Sequence, residues 1–344
     1  VRKTKVGIAM SGGVDSTACA LLLQKQYQVH GFFMQLAQPD YNQQLKRVQD
    51  ITAQCDIPLT VIDLRADFEQ KVLRYFADTY LDGRTPNPCM ICNPEIKFGL
   101  FMDAILEQGM ERVATGHYAN IVEIDDCFYL QQGGDPHKDQ SYFLARLQQK
   151  QLARVEFPLG RMTKSAVYEF VEEHGFKEFR GQESQDVCFL GDHSIGHFLE
   201  ARTQTVSPGG DIVDLEGKIL GQHNGVSNYT IGQRRGLGVS AATPLYVIHI
   251  DTTNNRIVVG ENDALFQEHI KIRNVLWNCD KTPQHNKEYL VRIRYGHKGQ
   301  GAKIKQLTKE LYKMTFTEKQ RAITPGQFAV IYDNDVVIGS GEIQ

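Results

Sequence analysis

The sequence predicts an α/β fold: a Rossmann-like parallel sheet in the first half, followed by a small mainly-β linking domain and a C-terminal β-barrel. Three observations predict it. Strand-like and helix-like stretches alternate through the first half, as parallel βαβ units require. Near residue 205 glycine, β-branched residues and short strands take over, as in all-β modules. At the end of the first strand, Gly12-Gly13 separates an apolar run from helical spacing.

The elements follow in order. Residues 4–10 place Val6, Ile8 and Met10 two apart, as in a short buried strand, and from Val14 apolar residues recur at helical spacing (Ala18, Leu21, Leu22). Residues 28–34 read as a second strand, 42–55 as a polar helix and 59–64 as a third strand. Over 67–81 an amphipathic helix carries Phe68, Val72, Tyr75 and Phe76 on one side, with Asp67 as its cap. A helix at 95–108 leads to a fourth strand at 112–115, ending at Gly116-His117. Residues 120–131 form a hairpin turning near Asp125-Asp126, and 163–174 a further helix. Later strands are expected at 246–250, 256–259, 289–295, 311–316 and 329–332. The expected domains are 1–204, 205–268 and 269–344.

Composition narrows the function classes. The chain has 344 residues, 41% of them apolar, enough for two or three domains with a sizeable core. Net charge is −3, so an RNA-binding face would have to be local. No run of about eighteen apolar residues argues for a membrane-spanning helix. The first residues lead straight into a strand without a signal peptide, so a cytoplasmic protein is expected. Seven cysteines in a reducing compartment argue against a structural disulfide framework and leave clustered ones for redox, metal or nucleophilic chemistry.

Three stretches carry chemistry. The first is Ala9-Met10-Ser11-Gly12-Gly13-Val14-Asp15-Ser16, where a strand turns into a helix. There, backbone N–H groups and the helix dipole bind anions, and glycine lets the backbone approach a phosphate. No lysine lies in the turn, which excludes a Walker-type loop. An ordinary strand–helix turn needs much less than the whole Ser-Gly-Gly-Val-Asp-Ser run. The second stretch is Thr85-Pro86-Asn87-Pro88-Cys89-Met90-Ile91-Cys92-Asn93, a proline-stiffened loop holding a Cys-x-x-Cys just before a helix whose dipole would favour a thiolate. The pair fits a redox couple, half a metal site or chance; a second pair that would complete a zinc site is missing. The third is Glu183-Ser184-Gln185-Asp186-Val187-Cys188-Phe189-Leu190, whose cysteine, taken alone, reads as a core residue.

Taken together, these motifs resemble the bacterial tRNA-specific 2-thiouridylase family over nearly the whole chain. The matching segments include residues 11–16, Gly83 to Pro88, Cys92-Asn93 with Glu95 to Phe98, Ala114 to Tyr118, Lys138 to Leu144, Cys188-Phe189, Gly232 to Gly238 and Thr324 to Gln327. The resemblance implies an adenine nucleotide α-hydrolase type of fold and an ATP-dependent sulfurtransferase acting on the wobble uridine of tRNA. ATP would lie on Ala9, Met10, Ser11, Gly12, Gly13, Val14, Asp15 and Ser16, with Met34 and Gly116 against the adenosine. Mg²⁺ would bridge phosphate oxygens, with Asp15 holding it directly or through water. The uracil 2-oxygen would be adenylated, Cys188 would carry a persulfide from a sulfur-relay protein, and Cys92 would close a disulfide with Cys188 to leave sulfur on the base. Contacts to tRNA would come from Asn87, Pro88, Cys89, His117, Lys138, Asp139, Gln140, Arg294, Tyr295 and Gln327, in a monomer with no membrane partner. His117 alone reads equally as a satisfied core histidine.

Two features depart from the family. Residues 35–42 are short and lack its Trp-acidic run, and Cys89 stands where aspartate is common. Three thiols, Cys89, Cys92 and Cys188, would also allow a 4Fe-4S cluster as the sulfur carrier. A different enzyme class, an adenylating amide-forming ligase on the same loop, needs no cysteine pair. A non-catalytic tRNA-binding module needs no intact loop.

Overall fold

Val6 and Ile8 are wholly buried and Met10 nearly so, which seats the first strand, β1 (Lys5–Met10), at the centre of its sheet. The computed structural model describes residues 3–177, 179, 187–191, 194–204, 207–280, 282–284 and 286–344. From β1 the chain runs through α1 (Val14–Leu23), β2 (Gln28–Gln35), α2 (Tyr41–Gln54) and β3 (Leu59–Asp63).

The next helix starts before the expected residue 67. α3 (Arg65–Phe68) and α4 (Arg74–Leu81) are joined by a π-helical turn, Glu69–Leu73. The Cys-x-x-Cys stretch is itself helical: α5 (Pro88–Cys92) has Pro88 in its first turn, where the missing N–H costs nothing. A π-helical segment, Asn93–Leu100, then leads into α6 (Phe101–Glu107). The wider π winding holds Pro94, which would crowd an α-helix interior.

β4 (Arg112–Ala114) returns to pair with β1 on the side away from β2. The hairpin β5 (Ala119–Ile124) and β6 (Cys127–Gln132) turns through Asp125 and Asp126, both at positive φ, as a two-residue hairpin turn demands. Then come α7 (Ser141–Leu144), α8 (Gln149–Leu152), β7 (Val155–Glu156), α9 (Lys164–Glu173) with Thr163 as its N-cap, and α10 (Ile195–Thr203). The sheet order is β3-β2-β1-β4-β7 with every pairing parallel. Strand order reverses between β1 and β4, and at such a switch point the strand ends leave a crevice for ligand.

A four-stranded sheet follows, built from β8 (Gly210–Val213), β9 (Ile219–His223), β10 (Tyr246–Asp251) and β11 (Arg256–Gly260). Ile212, Val247, Ile257 and Val259 form its core. The last body comprises β12 (Phe266–Trp277), β13 (Glu288–Arg292), β14 (Gln300–Gln306), β15 (Tyr312–Arg321), β16 (Phe328–Asp333) and β17 (Val336–Ile343). Their order is β12-β15-β14-β13-β16-β17, and β12 also pairs with β17, so the six strands close into a barrel. The domain limit expected after residue 268 falls inside β12.

Two readings need correction. The strand expected over 289–295 stops at Arg292, because the Arg292 guanidinium ties down a turn by donating to the carbonyls of Tyr295 (2.6 Å) and His297 (3.1 Å). A disulfide is present after all: Cys127 on β6 is joined to Cys279 in the turn after β12, with Cα atoms 6.2 Å apart. This pair differs from the expected Cys92–Cys188, whose thiols are both free. It forms because β6 leans on β17 of the barrel through the Gln131–Val336 pairing, a contact that a sequence separation of 152 conceals. Among the described residues no helix is long and apolar enough to cross a membrane.

Candidate active site

The loop between β1 and α1 is shaped by its own hydroxyls. Ser16 is buried; its Oγ donates to the Gly13 carbonyl (3.0 Å) and accepts from the Ser11 backbone N–H (3.2 Å). Thr17 also donates to Gly13 (3.1 Å). The expected phosphate-binding hydroxyls therefore divide: Ser11 is exposed, whereas Ser16 closes the turn. The N-cap of α1 is Gly13, with no side chain to satisfy the first-turn N–H groups, which leaves that end suited to an anion. Gly12 holds φ +79°, with Arg47 of α2 lying against it.

Asp15 faces the switch point. Its carboxylate accepts from both sides, from Lys164 Nζ at 2.8 Å to each oxygen and from Tyr118 Oη at 2.7 Å. The phenol is pushed well above its ordinary range by burial and then by the Asp15 charge. Gly116, at the end of β4, packs so closely on Asp15 that a Cβ there would lie 2.7 Å from the Asp15 Cβ. Met34, near the end of β2, is half-buried, and its carbonyl accepts from Gln38 (2.9 Å). Lys164 and Tyr118 were not singled out from the sequence. Tyr118 had a signal, since it closes the matched Gly116-His117-Tyr118 run; Lys164 sits in an unremarkable first helical turn.

The thiols lie on the neighbouring core. Phe189 is buried among Phe68, Phe76 and Phe198, with ring centroids 5.0–5.8 Å away. Burying such a ring contributes about 2 kcal/mol and anchors the adjacent Cys188. Cys92 packs on the same cluster. Burial pushes the Cys92 thiol up to about 12; Lys97 opposes that, while Cys188 and Cys89 add to it. Partial shielding from water also raises the Cys188 thiol, again opposed by Lys97, although the side chain reaches the surface. Two cysteines 96 positions apart in sequence thus share one electrostatic neighbourhood. Residues 183–186 of the third stretch lie outside the described residues.

The comparisons with known proteins agree in order with this layout. The "tRNA methyl transferase HUP domain" model matches residues 4–192, its PRC-barrel domain 196–261 and the "Aminomethyltransferase beta-barrel domain" 267–343. The chain is 52% identical to the "tRNA-specific 2-thiouridylase MnmA" of Desulfotalea psychrophila, over 99% of each chain. It is 42% identical to the protein of that name from Syntrophomonas wolfei, over 98% of this chain and 99% of that one. This chain belongs to the tRNA-specific 2-thiouridylase family.

Within this 2-thiouridylase-family chain, several residues expected on tRNA are turned inward. Asp139 is buried: it accepts from Arg292 (2.7 Å), from the N–H groups of Gly133 and Ser141 (both 3.0 Å) and from the Ser141 hydroxyl (3.0 Å). Gln140 accepts from the Tyr118 N–H (3.0 Å). Gln327 donates to the carbonyls of Thr85 and Pro86 (both 3.0 Å), clamping the barrel to the strand of chain that enters α5. Asn87 is buried and its N–H donates to Tyr75 Oη (3.3 Å). Pro88 is buried, Cys89 and Lys138 are half-buried, and His117 contacts Lys97 and Thr115. On the barrel, Arg294 is exposed, and Tyr295 stacks on Phe143 with centroids 4.5 Å apart. Phe143 in turn accepts from Asn93, the residue after Cys92, at 2.9 Å.

Proposed function

We propose that this chain catalyses the ATP-dependent 2-thiolation of the wobble uridine of tRNA. The observation that carries the reading is the pairing of a pyrophosphate-type loop at the sheet's switch point with Cys92 and Cys188 on the adjoining core. ATP lies along residues 9–16, with Met34 and Gly116 toward the adenosine. The uracil 2-oxygen attacks the α phosphorus and pyrophosphate leaves. The terminal sulfur of a Cys188 persulfide attacks C2, the C2–O bond breaks and AMP departs with that oxygen. The Cys92 thiolate then attacks Cys188 Sγ; a Cys92–Cys188 bond forms, and the electron pair of the broken S–S bond stays on the sulfur now bound to C2. A thiol reductant restores both cysteines, and a persulfide-donor protein recharges Cys188.

Mg²⁺ would neutralise phosphate charge on ATP, and these steps need no 4Fe-4S cluster. Both oxygens of Asp15 are held by Lys164, so that carboxylate is not poised as a direct metal ligand. Among the described residues no three His, Cys, Asp or Glu side chains converge to hold a metal ion. Arg294, Tyr295 and the half-buried Lys138 are the candidates for touching tRNA, while Asn87, Pro88 and Cys89 border the base site and Asp139, Gln140 and Gln327 hold the surface in shape. The base must leave its stack to reach the thiols. We further propose domain limits near residue 204 and just before β12, and a monomer; a tRNA substrate implies a cytoplasmic enzyme. The test is mass analysis of tRNA nucleosides after incubation with ATP, unmodified tRNA and a persulfide donor. Replacement of one oxygen by sulfur in the wobble uridine is expected, lost in Cys92→Ser and in Cys188→Ser. Thiolation persisting in both variants overturns the reading.

A further inference from the structure

Arg294 does not stand alone at the rim of the barrel. Its Nη1 donates to the carbonyl of Arg321 (3.3 Å), the last residue of β15. The Arg321 side chain reaches out of the barrel to the four-stranded sheet. Its Nε donates to Asn262 Oδ1 (2.9 Å), and its guanidinium lies over the Tyr246 ring, 5.0 Å from the centroid. Both partners are neutral. Glu261 and Asp263 flank Asn262; Glu261 accepts from Thr243 Oγ1 (2.8 Å), and among the described residues neither carboxylate pairs with Arg321.

The loop that precedes β10 meets this joint. Gly232 holds φ +86° and packs so closely on the barrel that a Cβ there would lie 2.8 Å from the Ala322 Cβ and 3.8 Å from Arg321 Nη1. The loop is pinned from several sides. The Gly232 N–H donates to the Val247 carbonyl (2.8 Å), and the Val247 N–H donates back to the Gln233 carbonyl (3.0 Å). The Gln233 side chain accepts from the Thr230 N–H (3.1 Å) and donates to the Arg235 carbonyl (2.9 Å). Leu237 is buried in the core of the four-stranded sheet. Between these anchors Arg234 and Arg235 are exposed, and among the described residues neither guanidinium has a hydrogen-bond or ion-pair partner.

We propose that this loop is a second tRNA-contact surface, on which Arg234 and Arg235 bind backbone phosphates and extend the basic strip that begins at Arg294 and crosses the domain joint at Arg321. The proposal rests on the tRNA reading above. A guanidinium presents its N–H groups in a fork that matches two phosphate oxygens, and a free one has no internal partner to give up. Because the backbone is already held, little ordering has to accompany binding. With a net charge of −3, attraction for a polyanion has to be concentrated in such a strip. Phosphate contacts set register and orientation without reading sequence, so the strip aligns the tRNA on two domains while the site beside the thiols selects the uridine.

The experiment is filter binding of unmodified tRNA to the full chain across a salt series. Arg234→Gln and Arg235→Gln should each reduce the slope of log K against log salt by about 0.7–0.9, and the double variant by about twice that. The double variant with Arg234→Lys and Arg235→Lys should recover the slope, because the charge is kept, yet bind more weakly than wild type, because the fork is lost. A change that merely disturbed the fold would not follow charge in this way. Lys309→Gln, in the turn before β15 and roughly 30 Å along that strand from Arg321, removes one exposed charge elsewhere and should leave the slope as it is. A slope in the double Gln variant within about 0.3 of wild type, or an equal fall in Lys309→Gln, overturns the proposal. Wild-type protein that binds no tRNA overturns the tRNA reading and this surface together. Wild-type protein that binds tRNA without thiolating it counts against the functional reading alone, and the slopes still decide the surface.

Discussion

At the scale of single residues, the loop's chemistry depends on side chains that the sequence keeps far apart. Asp15 is held by Lys164 and Tyr118, which come from two other elements, and all three meet because α9 and the end of β4 flank the switch point. Removing either partner changes what reaches an incoming triphosphate. Asp15→Asn and Lys164→Met should each lower the rate of pyrophosphate release on the order of a hundredfold, the usual cost of removing one preorganised polar group from a reacting phosphate or oxyanion. A stopped assay of pyrophosphate with saturating tRNA checks this, and rates equal to wild type would remove the pair from the ATP site. Ser16→Ala should act differently. It deletes the hydroxyl that closes the turn, so it should lower stability by about 1 kcal/mol as well as adenylation.

At the scale of elements, the barrel props the catalytic half through buried polar contacts. Arg292, at the end of β13, meets Asp139 in the stretch before α7, and both side chains are largely shielded from water. An ion pair in such a place is costly to break from one side, because the remaining charge is left buried without its partner. Asp139→Ala should therefore destabilise the protein by about 3–5 kcal/mol in urea denaturation, and Arg292→Met similarly. The double variant should recover part of the loss, since neither charge is then stranded. Additive losses would show that the two residues act independently. The same contact explains why Asp139 reads as a tRNA ligand from a motif yet faces inward: a motif records which residue occurs, and burial depends on a strand 153 positions away.

At the scale of the whole molecule, RNA binding has to come from a local surface, because net charge is −3. Arg294 lies exposed in the turn after β13, beside Tyr295, whose stack on Phe143 continues to Asn93 and so to the thiols. Arg294→Ala should weaken tRNA binding and reduce the slope of log K against log salt by about 1, as loss of one phosphate contact implies. Filter binding across a salt series checks this; an unchanged slope would move the RNA surface elsewhere. The Cys127–Cys279 disulfide belongs to this scale too, joining the β5–β6 hairpin to the barrel.

Local pattern was enough for the parallel sheet. The apolar run of β1, helical spacing after Gly13 and the aspartate pair of the β5–β6 turn are short-range signals, set within a few residues by backbone geometry. The strand–helix turn at Gly12-Gly13 was legible for the same reason, as a contiguous motif. Three things were decided only when the chain closed on itself. The π winding of residues 93–100, kinked at Gly99, arises where Pro94 must be housed. The barrel closes through pairing of β12 with β17, strands about seventy residues apart, whose register no local pattern encodes. The polar partners of Asp15 and Asp139 come from distant segments, because a buried charge takes whichever complementary group the packing delivers, and packing is a property of the whole fold.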